Sequence, residues 1–556
     1  MRASVIRKVV CLTAGLLPLC AAAAVKPEAP TWSYRVTKGD SLYSVARTYL
    51  APTFSWQKLA RFNRVSNARR LAPGRELRMP LGWLRAEATV ATVSFISGHA
   101  RRETAGGAEP VALAIGDTLK PGDLLATDGG ASVTLTLADA SRVLVSGDSR
   151  VRMESLLLFG RSGVVSSRLG LERGEADSRI NPAHAIGTRY DVRTPALTLG
   201  VRGTEFRVRV GDDSVAAEVT EGRVAAAPIT PTITAAAKRG AERSIDAGFG
   251  LVAAPSGGIG SVSALPAAPN VGSLPTLYER VPLSFSWPPS PGATAYRAQV
   301  FADDSFSQRL LDGVFERPAA QWVDLPDGHY LLQVRARDAQ GLEGRDGRLA
   351  FTLKARPEPP FTTAPRDEGR AYGERAEFSW TRVGAAQHYR LQVASESRFE
   401  APLLVDRSDL EATNLAVTLP PGRYHWRIAS IAQGNDQGPF SDSASFEMRE
   451  TPPPPPVDKP KAEGDKTIFR WRARSGDDAY DVQVAHDPAF TQLLLERREN
   501  LPELVLDKPK PGTYYLRVRT IESDGFVGPY GSPQEFKVSS SLWWWLAPGA
   551  VLLLLM

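Results

Sequence analysis

Side chains able to do chemistry are few and far apart. The 556 residues hold six histidines, His99, His184, His329, His388, His425 and His486, each standing alone rather than at the short spacing a zinc site needs. The two cysteines, Cys11 and Cys20, both lie near the N-terminus. One grouping invites a catalytic reading: Asp191, Arg202, Glu205 and His184 put carboxylates near an arginine and a histidine. A turn-stabilising pair of Arg202 and Glu205, with Gly200 and Gly203 providing tight bends, accounts for the same residues without catalysis. The sequence has no paired histidines around a glutamate, no serine elbow between glycines and no phosphate-binding glycine loop. We therefore expect no catalytic residue, no metal and no cofactor.

The elements that would position any site begin after a leader. Residues 1–24 open with Arg2, Arg7 and Lys8, run through an apolar stretch at 9–19 and end in small residues, which is the layout of a secretory signal cut after Ala23 or Ala24. The alternatives are acylation of Cys20, although Leu19 stands where a small residue is usual, and an uncleaved anchor. Cleavage leaves a chain without cysteine, which removes disulfides and thiolate chemistry and points to a bacterial envelope. Hydrophobic residues at 43% and charged residues at 23% exclude wholesale disorder and a multi-span membrane protein. At the other end, residues 542–556 are uncharged, start with Trp543, Trp544 and Trp545, and finish in leucines. As a helix this tail would reach roughly 22 Å, short of a hydrocarbon core of about 30 Å. It reads as a monotopic or thinly spanning membrane anchor, with a sorting or assembly segment as the alternatives.

Residues 32–81 follow their own plan. Tyr34, Arg35 and Val36 alternate like a short strand. Lys38, Gly39, Asp40 and Ser41 carry turn chemistry, with Asp40 or Ser41 placed to cap a helix. Leu42, Val45, Ala46 and Tyr49 share one helical face, Trp56, Leu59, Ala60 and Asn63 a second, and Pro73 and Gly74 turn into a closing strand at 76–80. This order, with Tyr34, Val36, Gly39, Asp40, Ser41, Leu42, Val45 and Ala46 at its start and Leu71, Pro73, Gly74, Leu77 and Pro80 at its end, resembles the LysM family. The resemblance implies binding of N-acetylglucosamine-containing glycan, chiefly peptidoglycan, in a groove between the loop after the first strand and the loop before the last. Carried onto this chain, the glycan-binding residues are Gly39, Asp40, Ser41, Leu42, Tyr43, Arg69, Arg70, Leu71, Pro73 and Gly74. Between 31 and 84, ten Lys or Arg oppose only Asp40 and Glu76, a net +8, so an anionic polymer or membrane surface is a further expected partner.

From 88 to 256 the pattern is all-β, with alternating strands broken by turns such as Pro121-Gly122 and Gly147-Asp148. Gly116, Asp117 and Leu119, the run from Gly129 to Ser141, Tyr190 to Ala196, and Gly200 to Phe206 together resemble the FecR domain, with Ala140 in place of the usual glycine. The resemblance implies a periplasmic β-domain that senses or docks. The family's namesake regulates a sigma factor through a short cytoplasmic N-terminus. A signal and a LysM-like module occupy that place here, so the regulatory role does not carry over.

Proline-rich stretches cut the remainder into segments at 274–355, 366–449 and 460–538. Trp287, Trp380 and Trp471 recur at intervals of 93 and 91 residues, followed by Tyr296, Tyr389 and Tyr480, then by Gln299, Gln392 and Gln483, and later by Tyr330, Tyr424 and Tyr514. These repeats resemble fibronectin type III domains, with the last tyrosines placed as tyrosine corners. The tryptophans and tyrosines are expected in the cores rather than in sugar-stacking platforms. Pro452 to Pro456 is expected to form a semi-rigid joint.

The expected fold is mainly β and multidomain: a small α+β LysM module, an all-β FecR-like domain and three β-sandwich repeats. The expected function is a non-enzymatic scaffold or sensor of the envelope or periplasm. It would bind peptidoglycan and an envelope protein partner, touch the membrane through its tail, and bind no nucleic acid. The alternatives are a signal-transduction component, a secreted adhesion protein and a cell-wall hydrolase.

Overall fold

The computed structural model describes residues 31–539, apart from 69–70, 105, 108, 183–187, 202, 230–241, 255–257, 477 and 508. The expected signal, the apolar tail, Arg69, Arg70, His184 and Arg202 lie outside the described residues. The chain is mainly β and forms two compact units, Met1–Lys354 and Ala355–Met556.

The first unit opens with strand β1 (Thr31–Arg35), helix α1 (Leu42–Tyr49), helix α2 (Trp56–Phe62) and strand β2 (Glu76–Pro80). β1 and β2 pair antiparallel, with Trp32 opposite Met79 and Tyr34 opposite Leu77, so alternate residues face the helices. Ser41 starts α1: its hydroxyl accepts from the Ser44 amide at 3.0 Å, and Ser44 returns the bond to the Ser41 amide at 2.9 Å. Leu42, Val45, Leu59, Leu77 and Met79 fill the core. Val164 also belongs to this core, although it comes from a hairpin of the following domain. Beside it, Gly160 has φ +52, and a Cβ added there would make ordinary contact with the Arg85 carbonyl at 3.7 Å. Val164→Ala is therefore expected to destabilise the small module by about 2 kcal/mol. Faster hydrogen exchange in α1, with the β-domain amides unchanged, is the measurement that checks it.

Strands between Glu87 and Ala264 close into a barrel flattened into two faces. One long strand, Val165–Arg179, serves both. Its first half runs parallel to Arg189–Arg193, with Ser167 opposite Tyr190. Its second half runs antiparallel to Glu205–Val210, with Glu175 opposite Arg209. Gly174 sits at the crossing with φ +86, where a Cβ would lie 2.5 Å from the Cα of Ser149, so only glycine fits. Val133, Leu135, Val143, Leu169, Leu199 and Val208 line the interior.

The first repeat completes this unit. Its main sheet runs Leu277–Tyr278, Gly347–Leu353, Gly328–Arg337, Ala295–Phe301, Arg309–Phe315, and Leu283–Ser286 pairs with Ala319–Trp322 behind it. The second unit holds the other two repeats. Trp287, Trp380 and Trp471 are buried, each edge-on to its tyrosine partner at centroid distances of 5.6, 5.7 and 5.3 Å. The hydroxyls of Tyr330, Tyr424 and Tyr514 each donate to the carbonyl four residues upstream, at 2.7, 2.9 and 2.8 Å. These are tyrosine corners.

The proline-rich stretches are bonded to the repeats they precede. The Arg345 amide donates to the Pro266 carbonyl at 2.9 Å, the Ser430 hydroxyl to Glu358 at 2.8 Å, and the Gln534 side chain to Val457 at 2.8 Å. Gly531 lies against Pro454, within the run read from sequence as a joint. In the second unit Tyr372 stacks on Phe526 at 3.9 Å and donates to Asp524 at 3.0 Å, clamping the second repeat to the third.

Candidate glycan groove and a buried charged interface

The loop after β1 and the loop before β2 meet through the backbone. The Val36 amide donates to Arg75 at 2.9 Å, and the Gly74 amide donates to Val36 at 2.8 Å. Gly39 has φ +96 and Gly74 φ +86, so both turns require glycine. Asp40 is committed to holding its turn: one carboxylate oxygen accepts from the Tyr34 hydroxyl at 2.7 Å, the Thr37 amide at 2.7 Å and the Thr37 hydroxyl at 2.9 Å. The Tyr34 bond, with the Thr37 amide, holds the Asp40 carboxyl below its ordinary range, and the same bond raises the Tyr34 phenol. Leu42 is core and Ser41 is the helix cap. Tyr43 is 60% exposed, and Leu71, Pro73 and Gly74 are half-buried or exposed. Of the eight described residues among the ten carried over, Tyr43 is the large side chain held out to solvent beside the loop. Asn63, used in sequence to mark the second helix, ties the end of α2 to β2: it accepts from the Arg78 amide at 2.7 Å and donates to the Arg78 carbonyl at 2.8 Å.

The grouping around Asp191 and Glu205 resolves into separate ion pairs. Asp191 meets Arg168 at 3.3 Å and Arg189 at 2.9 Å. Glu205 pairs with Arg179, a partner the sequence reading did not name. Gly203 is a positive-φ bend at +57, but Gly200 lies within a strand, opposite Asp191, rather than at a bend. Among the described residues no cluster of His, Cys, Asp or Glu could hold a metal ion.

The largest concentration of charge lies between the barrel and the first repeat, where sequence reading saw only strands. Glu343 accepts Arg209 at 2.6 Å, Arg335 at 3.3 Å and Arg297 at 3.4 Å. Arg297 also pairs with Glu175 of the barrel and with Asp312 at 2.6 Å. Arg335 reaches Asp177 of the barrel at 3.1 Å and Asp346 at 2.7 Å. Arg209 bridges Glu343 and Glu218, the latter at 3.2 Å. Arg142 and Arg179 bond the Ser305 hydroxyl and carbonyl at 2.7 Å each. Glu175, Glu218, Arg297, Arg335 and Glu343 are buried, and Arg209, Asp312, Asp177 and Asp346 are half-buried.

Burial pushes the Glu175 and Glu218 carboxyls up, by more than Arg297 and Arg209 pull them down. Burial also acts on Glu343 and Asp346, but Arg297, Arg209 and Arg335 around the first, and Arg335 and Arg207 beside the second, hold both well below the carboxylate range. The two pairs act oppositely on stability. A raised carboxyl binds more protons folded than unfolded, so its effect is to weaken the fold as pH rises above about 4.3. A depressed carboxyl contributes stability above about 4 that is lost as pH falls toward its folded value. The first unit is accordingly expected to lose the contribution of Glu343 and Asp346 as pH falls below about 4, and to be weakened through Glu175 and Glu218 as pH rises above about 4.3. Denaturant titrations across the acid and neutral range check this.

Comparison with known proteins adds to this geometry. The solved structure of a candidate anti-sigma factor from Parabacteroides distasonis ATCC 8503 is 19% identical, with a TM-score of 0.20, over 25% of this chain. The match spans 59% of that protein's length. The chicken CNTN1 FN1–FN3 domains are 17% identical over 46% of this chain and 94% of theirs, with a TM-score of 0.24. The fibronectin(III)-like modules of Clostridium thermocellum CbhA are 13% identical over 32% of this chain and 94% of theirs, also with a TM-score of 0.24. Among family models, residues 34–80 of this mainly β chain match the LysM domain and residues 123–225 match the FecR protein family.

Proposed function

We propose that the chain is a non-enzymatic cell-envelope protein that binds peptidoglycan through its LysM module and presents the FecR-like domain and the three sandwich repeats as a scaffold. The observation that carries this reading is the groove at 39–43 and 71–74, where two glycine turns are locked by backbone bonds and their own side chains are spent on structure. This leaves backbone groups and Tyr43 for an acetamido sugar. The sequence boundaries 32–81, 88–256, 274–355, 366–449 and 460–538 are the proposed domains. Export through the 1–24 signal and membrane contact through the 542–556 tail belong to the same proposal and rest on sequence alone. No helix among the described residues is long and apolar enough to cross a membrane.

Sedimentation of the full chain with purified sacculi tests the reading. Binding should survive moderate salt, because the electrostatic attraction of the basic module is screened beyond about 8 Å at physiological ionic strength. It should also be competed by chitin oligomers. Tyr43→Ala is expected to weaken chitin-oligomer affinity about fivefold, the loss of roughly 1 kcal/mol of contact, without changing the melting of the module. A chain left in the supernatant at all salt concentrations overturns the assignment.

A second reading, a periplasmic signalling component, is favoured by the FecR match. In that case, protease protection of the FecR-like domain would change when sacculi bind.

A further inference from the structure

The outward face of the first repeat's main sheet is covered by the barrel. The third repeat carries the same sheet, in the order Leu493–Glu499, Ala479–Ala485, Gly512–Ile521, Gln534–Val538, and the strand registers equate the two position by position. Gln299 lies opposite Gln333 and Asp312 and donates to Asp312 at 3.3 Å; Gln483 lies opposite Arg517 and Glu496 and donates to Glu496 at 2.7 Å. Arg297 lies opposite Arg335, and Asp481 opposite Arg519. Phe301 lies opposite Arg309, and Ala485 opposite Leu493. Burial separates these equivalents. Arg309 and Arg335 are 1% and 5% exposed against the barrel, while Leu493 is 44% exposed and the Arg519 side chain 30%.

One reaching arginine of the docking face is retained, while Asp481 and Leu493 stand where the first repeat has Arg297 and Arg309. Arg335 spans the first interface to reach Asp177. Arg519, at the same place in the third repeat, is steadied by Asp481 at 2.9 Å and by the Tyr530 ring at 4.3 Å. Arg517 beside it lies over Phe490 at 4.1 Å and Tyr530 at 4.4 Å. Stacking fixes the two guanidinium planes without using all their donors. The second repeat has Ala429 at the position of Arg335 and so lacks the reaching arginine. The barrel meets the first repeat with Glu175, Asp177, Glu205 and Glu218 and with Arg142, Arg179, Arg207 and Arg209, a balanced face whose carboxylates take the repeat's arginines. The third repeat's face carries Arg498, Arg517 and Arg519 against Asp481 and Glu496, an excess of one positive charge. Exposed Leu493 and Leu494 supply an apolar lip.

We propose that the outward face of the third repeat's four-stranded sheet is a docking surface for a second protein, engaging a carboxylate-bearing β-sheet of that protein as the first repeat engages the barrel. Electrostatic complementarity of this kind fixes orientation and partner choice more than raw affinity. The proposal is independent of glycan binding.

The test places a photo-reactive residue at Leu494 of the full-length chain in the cells that produce it, and sequences the crosslinked peptide. The expected adduct is a strand of a different protein with Asp or Glu alternating on one face. Its yield should drop about fivefold on Arg519→Glu and also on Arg498→Glu. Arg498 is mostly exposed, so its variant keeps the test valid if Arg519→Glu unfolds the repeat, which melting reports. An adduct with a second copy of this chain, with glycan or with lipid overturns the proposal. So does an adduct indifferent to Arg498→Glu, or no adduct.

Discussion

Glu343→Ala is expected to destabilise the first unit by about 3–5 kcal/mol, the cost of removing one partner from a buried ion pair. The reason is position. Glu343 faces three guanidinium groups, those of Arg209, Arg297 and Arg335, and its backbone amide donates to Glu218 at 3.1 Å. Without its carboxylate, three buried cations share the remaining acids, and Arg209 keeps only Glu218 and the Gly341 carbonyl. Two of the three arginines belong to the first repeat and one to the barrel, so the loss falls on the contact as well as on the repeat. Calorimetry of the full chain should show the transition of the first unit lowered or split, with that of the second unit unmoved. A single unchanged transition would show that solvent enters the interface and screens it.

Trp471→Ala is expected to cost about 3–5 kcal/mol, much of the 5–15 kcal/mol that holds a domain of this size folded. The indole is buried, edge-on to Tyr480, and surrounded by Phe469, Val482 and Val484. Its N–H finds no acceptor among the described residues, so the ring is held by packing, and Trp471→Phe should be much milder than alanine. Trp380→Ala should act in the same way on the second repeat. Trp287→Ala should spread further, because its repeat and the barrel share the charged interface and a loosened repeat releases both. Hydrogen exchange resolved by repeat separates these cases. A Trp471→Ala chain that melts like wild type while losing affinity for sugar would return the ring to the surface.

The parts legible in sequence are those whose pattern is local. Gly39, Ser41 and Leu42 carry turn, cap and core within four residues, and the tryptophan–tyrosine pairs recur at a fixed offset inside each repeat. The interface of barrel and repeat was not legible, because Arg297, Gln299, Gln333 and Arg335 alternate with core residues in the phase that ordinarily faces water. Arg390 occupies the place of Arg297 one repeat later, and no feature of either sequence says that one is buried and the other partly exposed. Val164 was missed for a different reason: it fills the core of a module that ends far upstream of it. Glu205 was paired in sequence with Arg202, which lies outside the described residues; the sheet brings it Arg179 from the neighbouring strand, which no local pattern announces.

The bonds between the proline-rich stretches and the repeats that follow them bear on how the chain carries a load. Free linkers would give an entropic spring, soft at small extension and stiffening as the slack is drawn out. Here the backbone before each repeat is fastened to that repeat's own strands and loops, at Pro266, Glu358 and Val457. Little slack is stored in these stretches, and tension passes directly into hydrogen-bonded sheet. Extension then comes in steps. One repeat that yields, at the 91-residue period, releases roughly 300 Å of chain at about 3.3 Å per residue. Under tension each repeat would resist up to a threshold force and lengthen stepwise above it.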